Sequence, residues 1–405
     1  MKKALTITLA LLVIAVIGGG IYFFIQKKNS GDTSSSFFNF GGGTTDTSGG
    51  VRGDTEGGVD TTAGDVSSTT EVAVIQKITP GPIAGFGIDT DNSSNTIVRY
   101  QDKALGHISE VFLPNNTSAP VSGATEGAVY ESLWGKGGDD VITRTLGDRD
   151  TIKTKSIRIS SQKSFLFPDA VSAITVSPDK RSLFFLYPTQ QGALGFVSAI
   201  DGSAQKKTFT SFFTEWLASW TSPSVITLTS KPSARATGSI YLLNTKTLSS
   251  QIAIAEKMGL TGTLSPDAKI LVYTEGIPGG MRTSYYTVAT GKTSSAPFTT
   301  IPEKCVWSTK EVGVIFCAIP SAIPSGEYPD DWYKGTASFT DTIWKYDTKD
   351  NSSFGRIVVN GVPGTIADAT SLSLDSNEHY LLFINKKDGS LWSIDLDQAV
   401  PPNSD

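Results

Sequence analysis

A unit of about 43 residues recurs along the chain after residue 70, and this repeat constrains the fold more than any other sequence feature. Its clearest copies, 174–187 and 262–273, place a short apolar segment before Ser-Pro-Asp and a more apolar segment after it. The turn serines Ser177, Ser222 and Ser265 are separated by 45 and 43 residues. Proline fixes φ in a turn and Asp caps the turn through its side chain, so each copy predicts a β-hairpin.

Similar steps extend the repeat to seven copies. They reach Ser308, Gly135 and Asp91, and the seventh copy lies at 371–377 after an insertion of about 23 residues. Seven units of this length, each with three or four short predicted strands, are typical of an all-β, seven-bladed β-propeller. The spacing leaves rings of six to eight blades, or a pair of β-sandwiches, as alternatives.

The last unit lacks a fourth strand, whereas an unassigned predicted strand at 71–78 precedes the first unit. We expect this strand to complete the last blade, because closing the ring removes an open sheet edge. The predicted propeller therefore spans 71–397, and 398–405 form a C-terminal tail.

The Ser-Pro-Asp turn before an apolar strand resembles the WD40-like (PD40) repeats of TolB-type propellers, which are similar to the propeller domains of prolyl oligopeptidase-like enzymes. The resemblance covers roughly 71–396. It implies a scaffold that binds other molecules, and it implies no catalytic residues in this chain.

The N-terminal segment predicts a membrane anchor. Residues 4–25 carry no charge and are flanked by two lysines on each side. A helix of this length spans about 33 Å, which is enough for a hydrocarbon core of ~30 Å. A signal peptide with an apolar core at 4–17 is the alternative. We therefore assign 1–28 to a transmembrane signal anchor and the Gly/Ser/Thr/Asp-rich segment 29–70 to a disordered linker.

Composition bears on location and partners. The net charge of −5 argues against nucleic acid, which requires a dense Lys/Arg surface. Charged residues make up only 18% of the chain, which contains two cysteines. Together with the anchor, this favours a single-pass protein of the cell membrane with its propeller on the extracytoplasmic side.

Residues able to support catalysis are few. His107 and His379 occupy different positions of the repeat, and no nucleophile elbow, zinc motif, phosphate loop or Cys-x-x-Cys is present. We therefore predict no catalytic residue, metal or cofactor. Cys305 and Cys317 flank one hairpin turn, so they could form a disulfide or pack as two small buried side chains.

The insertion at 319–341 is the strongest candidate binding site, because aromatic and acidic residues are concentrated in it. Aromatic side chains give large contact areas at low entropic cost. We expect the insertion to open beside the loop 275–283, on the face that also carries the links between blades. The predicted binding residues are Tyr328, Asp330, Asp331, Trp332, Tyr333, Met281 and Arg282. Alternatively, the aromatic side chains fold down and pack on the blade.

The sequence therefore favours a non-catalytic binding or scaffold module for an envelope protein or a cell-wall glycan. One alternative is a glycan-cleaving propeller, which would need two carboxylates about 5–10 Å apart. Asp330, Asp331 and Glu275 are the candidates for such a pair. A structural spacer in an envelope or secretion complex is a further alternative.

Overall fold

The computed structural model describes residues 75–91, 93, 95–148, 151–349, 352–356 and 367–398, with only the backbone described for 352–356. The predicted anchor (1–28) and linker (29–70) lie outside these residues, as does most of the predicted tail. No helix in the described part of the chain is long and apolar enough to cross a membrane.

The described residues form seven four-stranded antiparallel sheets, which are the blades of a β-propeller. The predicted blade number is therefore confirmed. The first strand is β1 (Ile75–Lys77). Blade 1 contains β2 (Ile83–Thr90), β3 (Thr96–Asp102), β4 (Ile108–Leu113) and β5 (Thr117–Ser122). Blade 2 contains β6 (Val129–Trp134), β7 (Asp140–Leu146), β8 (Ile152–Arg158) and β9 (Lys163–Leu166). Blade 3 contains β10 (Ala173–Val176), β11 (Ser182–Thr189), β12 (Gly192–Ala199) and β13 (Lys206–Ser211).

The remaining strands continue this pattern. Blade 4 contains β14 (Trp216–Ser222), β15 (Val225–Ser230), β16 (Thr237–Asn244) and β17 (Ser250–Met258). Blade 5 contains β18 (Thr261–Leu264), β19 (Ile270–Ile277), β20 (Gly280–Thr287) and β21 (Lys292–Ser295). Blade 6 contains β22 (Cys305–Trp307), β23 (Val314–Pro320), β24 (Asp341–Asp347) and β25 (Ser352–Arg356). Blade 7 contains β26 (Ala369–Leu374), β27 (Tyr380–Asn385) and β28 (Leu391–Asp395). One α-helix, α1 (Asp330–Lys334), lies in the insertion, and 3₁₀ turns lie at Lys136–Gly138 and Pro302–Lys304.

Strand β1 completes blade 7, as the sequence predicted. It pairs antiparallel with β28, placing Ile75 opposite Ile394 and Lys77 opposite Trp392. Ile75 and Ile394 are buried in the cluster shared with blade 6. The N-terminal strand therefore closes the ring by supplying the outer strand of the last blade, which covers the edge of β28.

The repeated turn joins the first and second strands of each blade. In blade 3 the Ser177 hydroxyl donates to Asp179 Oδ1 at 2.5 Å, and the Ser182 amide donates to Ser177 Oγ at 2.9 Å. Lys180 and Ala268 occupy equivalent turn positions with φ of +58°, the left-handed region that favours glycine. We call the end of the ring with these turns the turn face. The opposite end, with the second-to-third-strand loops and the interblade links, is the link face.

The core lies between neighbouring blades. Residues 183–186 of β11 are fully buried, because side chains on both of its faces pack against adjacent sheets. For example, Phe184 and Leu186 pack with Trp216 and Ile226 of blade 4. This double burial explains why the segment after each turn is the more apolar one.

Candidate functional site

The insertion forms a cap over part of the link face. We define the cap as residues 321–340, between β23 and β24. Tyr328, Trp332 and Phe339 are 1%, 3% and 1% exposed. They pack with Met281 and Ile301 of the neighbouring blade and link. The alternative in which aromatic side chains fold down therefore describes these three residues, and a partner could not reach them without displacing the cap.

The cap also contacts blade 4. Asp330 Oδ2 accepts from the Ala234 amide at 2.5 Å, and Glu327 pairs with Arg235 at 2.9 Å. A Cβ on Gly259 would lie 2.2 Å from the Tyr328 carbonyl oxygen, so only glycine permits this approach of backbone to backbone. The cap thus spans from its own blade across blade 5 to blade 4.

The predicted acidic and basic site residues are engaged within the protein. Asp331 Oδ2, in the first turn of α1, accepts a hydrogen bond of 2.8 Å from the amide of Glu327, which precedes the helix. Arg282 donates to Glu275 Oε1 at 2.6 Å, and Lys257 lies 3.0 Å from Glu275 Oε2. Burial raises the pKa of Glu275, but these two cations and their hydrogen bonds outweigh it and hold the pKa below its usual value. The carboxylates considered for catalysis are thus held by structural partners.

A buried charge cluster lies under the cap. Lys304 Nζ is 2.7 Å from Asp341 Oδ2 and 2.5 Å from Asp368 Oδ1, and all three side chains are at most 2% exposed. The indole of Trp332 donates to both oxygens of Asp368 at 3.1 Å. This cluster joins the cap to the link before blade 6 and to the entry of blade 7. The sequence pattern gave no signal for it, because its members are far apart in the chain.

Tyr333 is the aromatic cap residue that remains accessible. Its side chain is 40% exposed, while its hydroxyl points inward and donates to Glu303 Oε1. The other carboxylate oxygen of Glu303, Oε2, is buried with no hydrogen-bond partner among the described residues. Burial raises the pKa of Glu303, partly opposed by the hydrogen bond from Tyr333. Burial of the hydroxyl and the adjacent Glu303 charge raise the pKa of Tyr333 well above its usual value.

Glu303 also lines the central channel. One cavity of about 560 Å³ is bounded by the first strands of blades 2 to 7, and Glu131, Arg144 and Trp220 line it. A second cavity of about 570 Å³ is bounded by blades 1, 2, 3 and 7. The tryptophans that recur before the turns border these cavities, and their indole nitrogens have no hydrogen-bond partner within the described ranges: Trp134, Trp220 and Trp307.

Exposed apolar side chains are concentrated on the link face. Phe212 is 94% exposed and Phe213 is 63% exposed, both in the link between blades 3 and 4. The others at this end of the ring are Leu105, Leu146, Leu217, Met258, Ile277 and Tyr333. Val312 (53% exposed) lies at the turn face, and Phe165, Leu166 and Ile252 lie on outer strands. Sequence reasoning located the insertion but missed these neighbours, since single apolar residues in separate links form no local pattern.

The cysteines and histidines occupy separate places. Cys305 and Cys317 lie directly opposite each other on β22 and β23 with Cα atoms 4.1 Å apart, and they form a disulfide. His107 contacts Thr125, whereas His379 contacts Asp397, so the two histidines share no site. No group of three or more His, Cys, Asp or Glu side chains in the described part of the chain is arranged to hold a metal ion.

Comparison with known proteins finds weak similarity to solved structures and no match to a family. No protein-family model matches the chain, and no curated protein matches it. Similar solved structures include hydrazine synthase of Kuenenia stuttgartiensis (12% identity, 81% of this chain and 98% of that one, TM-score 0.49). Others are an oligogalacturonate lyase in complex with manganese (9%, 78% and 96%, 0.48) and TolB from Acinetobacter baumannii (12%, 67% and 62%, 0.41). At these identities and TM-scores the similar structures give no information on the function of this chain. Its membership of the WD40-like repeat family remains a prediction.

Proposed function

We propose that this protein is a non-catalytic binding module, anchored in a cell membrane through residues 4–25, whose extracytoplasmic propeller captures another envelope protein on its link face. The observation that carries this proposal is the concentration of exposed large apolar side chains on that face. Removing apolar surface from water contributes about 25 cal/mol per Å², from which the entropic cost of association is subtracted. An exposed apolar patch rimmed by polar residues marks an interaction surface when its members are contiguous, and we propose that those at this end of the propeller act as one such patch.

The charges around these residues favour a protein partner over a glycan. Arg235 pairs with Glu327, and Lys231 pairs with Glu215. Glu275 is held by Lys257 and Arg282. A sugar hydroxyl would have to compete with an existing ion-pair partner for each of these charged groups. Apolar side chains surrounded by paired charges resemble the apolar centre and polar rim of a protein interface.

The disulfide supports the proposed location. Disulfides persist in oxidising compartments outside the cytoplasm. The Cys305–Cys317 bond therefore agrees with a propeller on the outer side of the membrane. The anchor itself is supported by the length and apolarity of residues 4–25.

The test compares three forms of the full chain in crosslinked membranes: wild type, Phe212→Ser/Met258→Ser, and the turn-face control Val312→Ser. We expect wild type and control to capture the same protein, and the link-face variant to lose at least ~10-fold of that capture. Such a loss corresponds to about 1.4 kcal/mol. Equal capture by all three forms would contradict the proposal, as would captured material that resists protease and is released by a glycan hydrolase.

A further inference from the structure

We propose that Lys304 and Asp341 become joined by an intramolecular isopeptide bond, with Asp368 as the group that transfers the proton. The three side chains already lie in contact: Lys304 Nζ is 2.7 Å from Asp341 Oδ2 and 2.5 Å from Asp368 Oδ1. Lys304 is fully buried, so its amine has no access to solvent. Holding an amine and a carboxyl in contact raises their effective concentration, which reaches about 10⁵ M or more when the reacting atoms are well oriented.

The surroundings of the cluster exclude water. Lys304 Nζ lies 5.4 Å from the centre of the Trp332 ring and 5.3 Å from that of Phe339. Both rings belong to the cap and are buried. A second cation lies nearby, because Lys386 Nζ is 5.1 Å from the centre of the Trp332 ring and its charge acts on Asp368. Keeping an ammonium and two carboxylates charged is costly in an apolar environment, and proton transfer from the ammonium to one carboxylate removes two of these buried charges.

The two aspartates have different environments, which assign their roles. Burial raises the pKa of Asp341, only partly opposed by the charge of Lys304. Burial would also raise the pKa of Asp368. The charge of Lys304 and hydrogen bonds from the Phe339 amide and the Trp332 indole outweigh burial, so the pKa of Asp368 lies below its usual value. Of the two, Asp341 is therefore the carboxyl that is more readily protonated, and we assign Asp368 as the carboxylate that transfers the proton.

The oxygens of Asp341 are equally distinct. Oδ2 accepts from the Ala369 amide at 2.7 Å, whereas Oδ1 is buried without a hydrogen-bond partner among the described residues. One proton passes from the Lys304 ammonium to Asp341, which leaves an amine beside a neutral carboxyl. As this nitrogen attacks Cγ of Asp341, the Ala369 amide stabilises the negative charge that develops on Oδ2. Asp368 accepts a proton from the nitrogen and delivers it to Oδ1.

The step balances without any further reactant. One N–C bond forms, the Cγ–Oδ1 bond breaks, and Oδ1 leaves as water with its own proton and the one from Asp368. No electrons are gained or lost. The amide ties the turn Pro302–Lys304 to the first residue of β24, where the cap returns to its blade. It thereby closes the base of the cap covalently.

The test is mass spectrometry of the purified, reduced full chain. The mass of the wild-type chain should be smaller than its sequence mass by one water. The Lys304→Arg variant, which cannot form the bond, should have its full sequence mass. Trypsin should not cleave after Lys304, so peptide 293–310 should be recovered joined to peptide 335–345. Asp368→Asn should fold, as judged by near-ultraviolet circular dichroism, yet have the mass of an uncrosslinked chain. Cleavage of wild type after Lys304 without loss of water would overturn the proposal, as would a crosslink to the peptide that contains Asp368.

Discussion

Replacing Trp332 tests whether the cap is part of the folded core. Trp332 is 3% exposed, packs with Met281 and Ile301, and donates to both oxygens of Asp368. Replacing a buried tryptophan with alanine costs about 3–5 kcal/mol, from lost contacts and the cavity that remains. Trp332→Ala should therefore lower the free energy of unfolding by about 4 kcal/mol.

A second substitution separates packing from hydrogen bonding. Trp332→Phe keeps most of the ring but removes the indole donor to a buried carboxylate. Hydrogen bonds to charged groups contribute about 1.5–3 kcal/mol. Asp368 keeps Lys304, Ser338 and the Phe339 amide as hydrogen-bond donors. We therefore expect Trp332→Phe to lower the free energy of unfolding by about 1.5 kcal/mol, the lower end of this range.

The assay is equilibrium unfolding of the full chain in urea, followed by tryptophan fluorescence and circular dichroism. Phe212→Ala is the matched control, because it removes an aromatic ring that is 94% exposed. It should change stability by no more than ~0.5 kcal/mol. If Trp332→Ala unfolded at the wild-type urea concentration with an unchanged slope, the cap would be a surface loop whose burial adds nothing to the stability of the ring.

Three further predictions address closure, pH and turn geometry. Ile75→Asp places a charge in the buried junction between β1 and β28, so it should lower the free energy of unfolding by at least ~3 kcal/mol in the same assay. The control Val312→Asp, at an exposed position, should change it little. Burial raises the pKa of Glu303 in the folded state above its usual value of 4.5, so the folded protein binds this proton more tightly than the unfolded chain. The free energy of unfolding therefore falls as the pH rises from 4.5 through the raised pKa. Glu303→Gln should therefore stabilise the protein more at pH 7 than at pH 4, and an equal effect at both values would contradict the burial of this carboxyl. Ala268→Gly relieves a residue at φ +58°, so it should increase the free energy of unfolding by up to ~1 kcal/mol and raise the thermal midpoint. An unchanged or lower midpoint would contradict strain at this turn position.

The sequence by itself determined the architecture of the ring. The Ser-Pro-Asp turn is a local signal, because Ser177 and Asp179 bond each other and the turn backbone within five residues. The regular spacing gave the seven blades, and the spare strand before the first repeat gave the closure through β1. Each of these features follows from residues close in the chain or from a repeated distance along it.

Only the tertiary structure decided which side chains of the insertion are buried and which remain accessible to a partner. Trp332 and Tyr333 are neighbours in sequence and equally aromatic, yet one is buried against Asp368 and the other remains 40% exposed. Lysine is mostly exposed in folded proteins, yet Lys304 is fully buried and its partners lie 37 and 64 positions away in the chain. Burial and ion pairing of this kind depend on which blades the ring brings together, and no local pattern of residues encodes that.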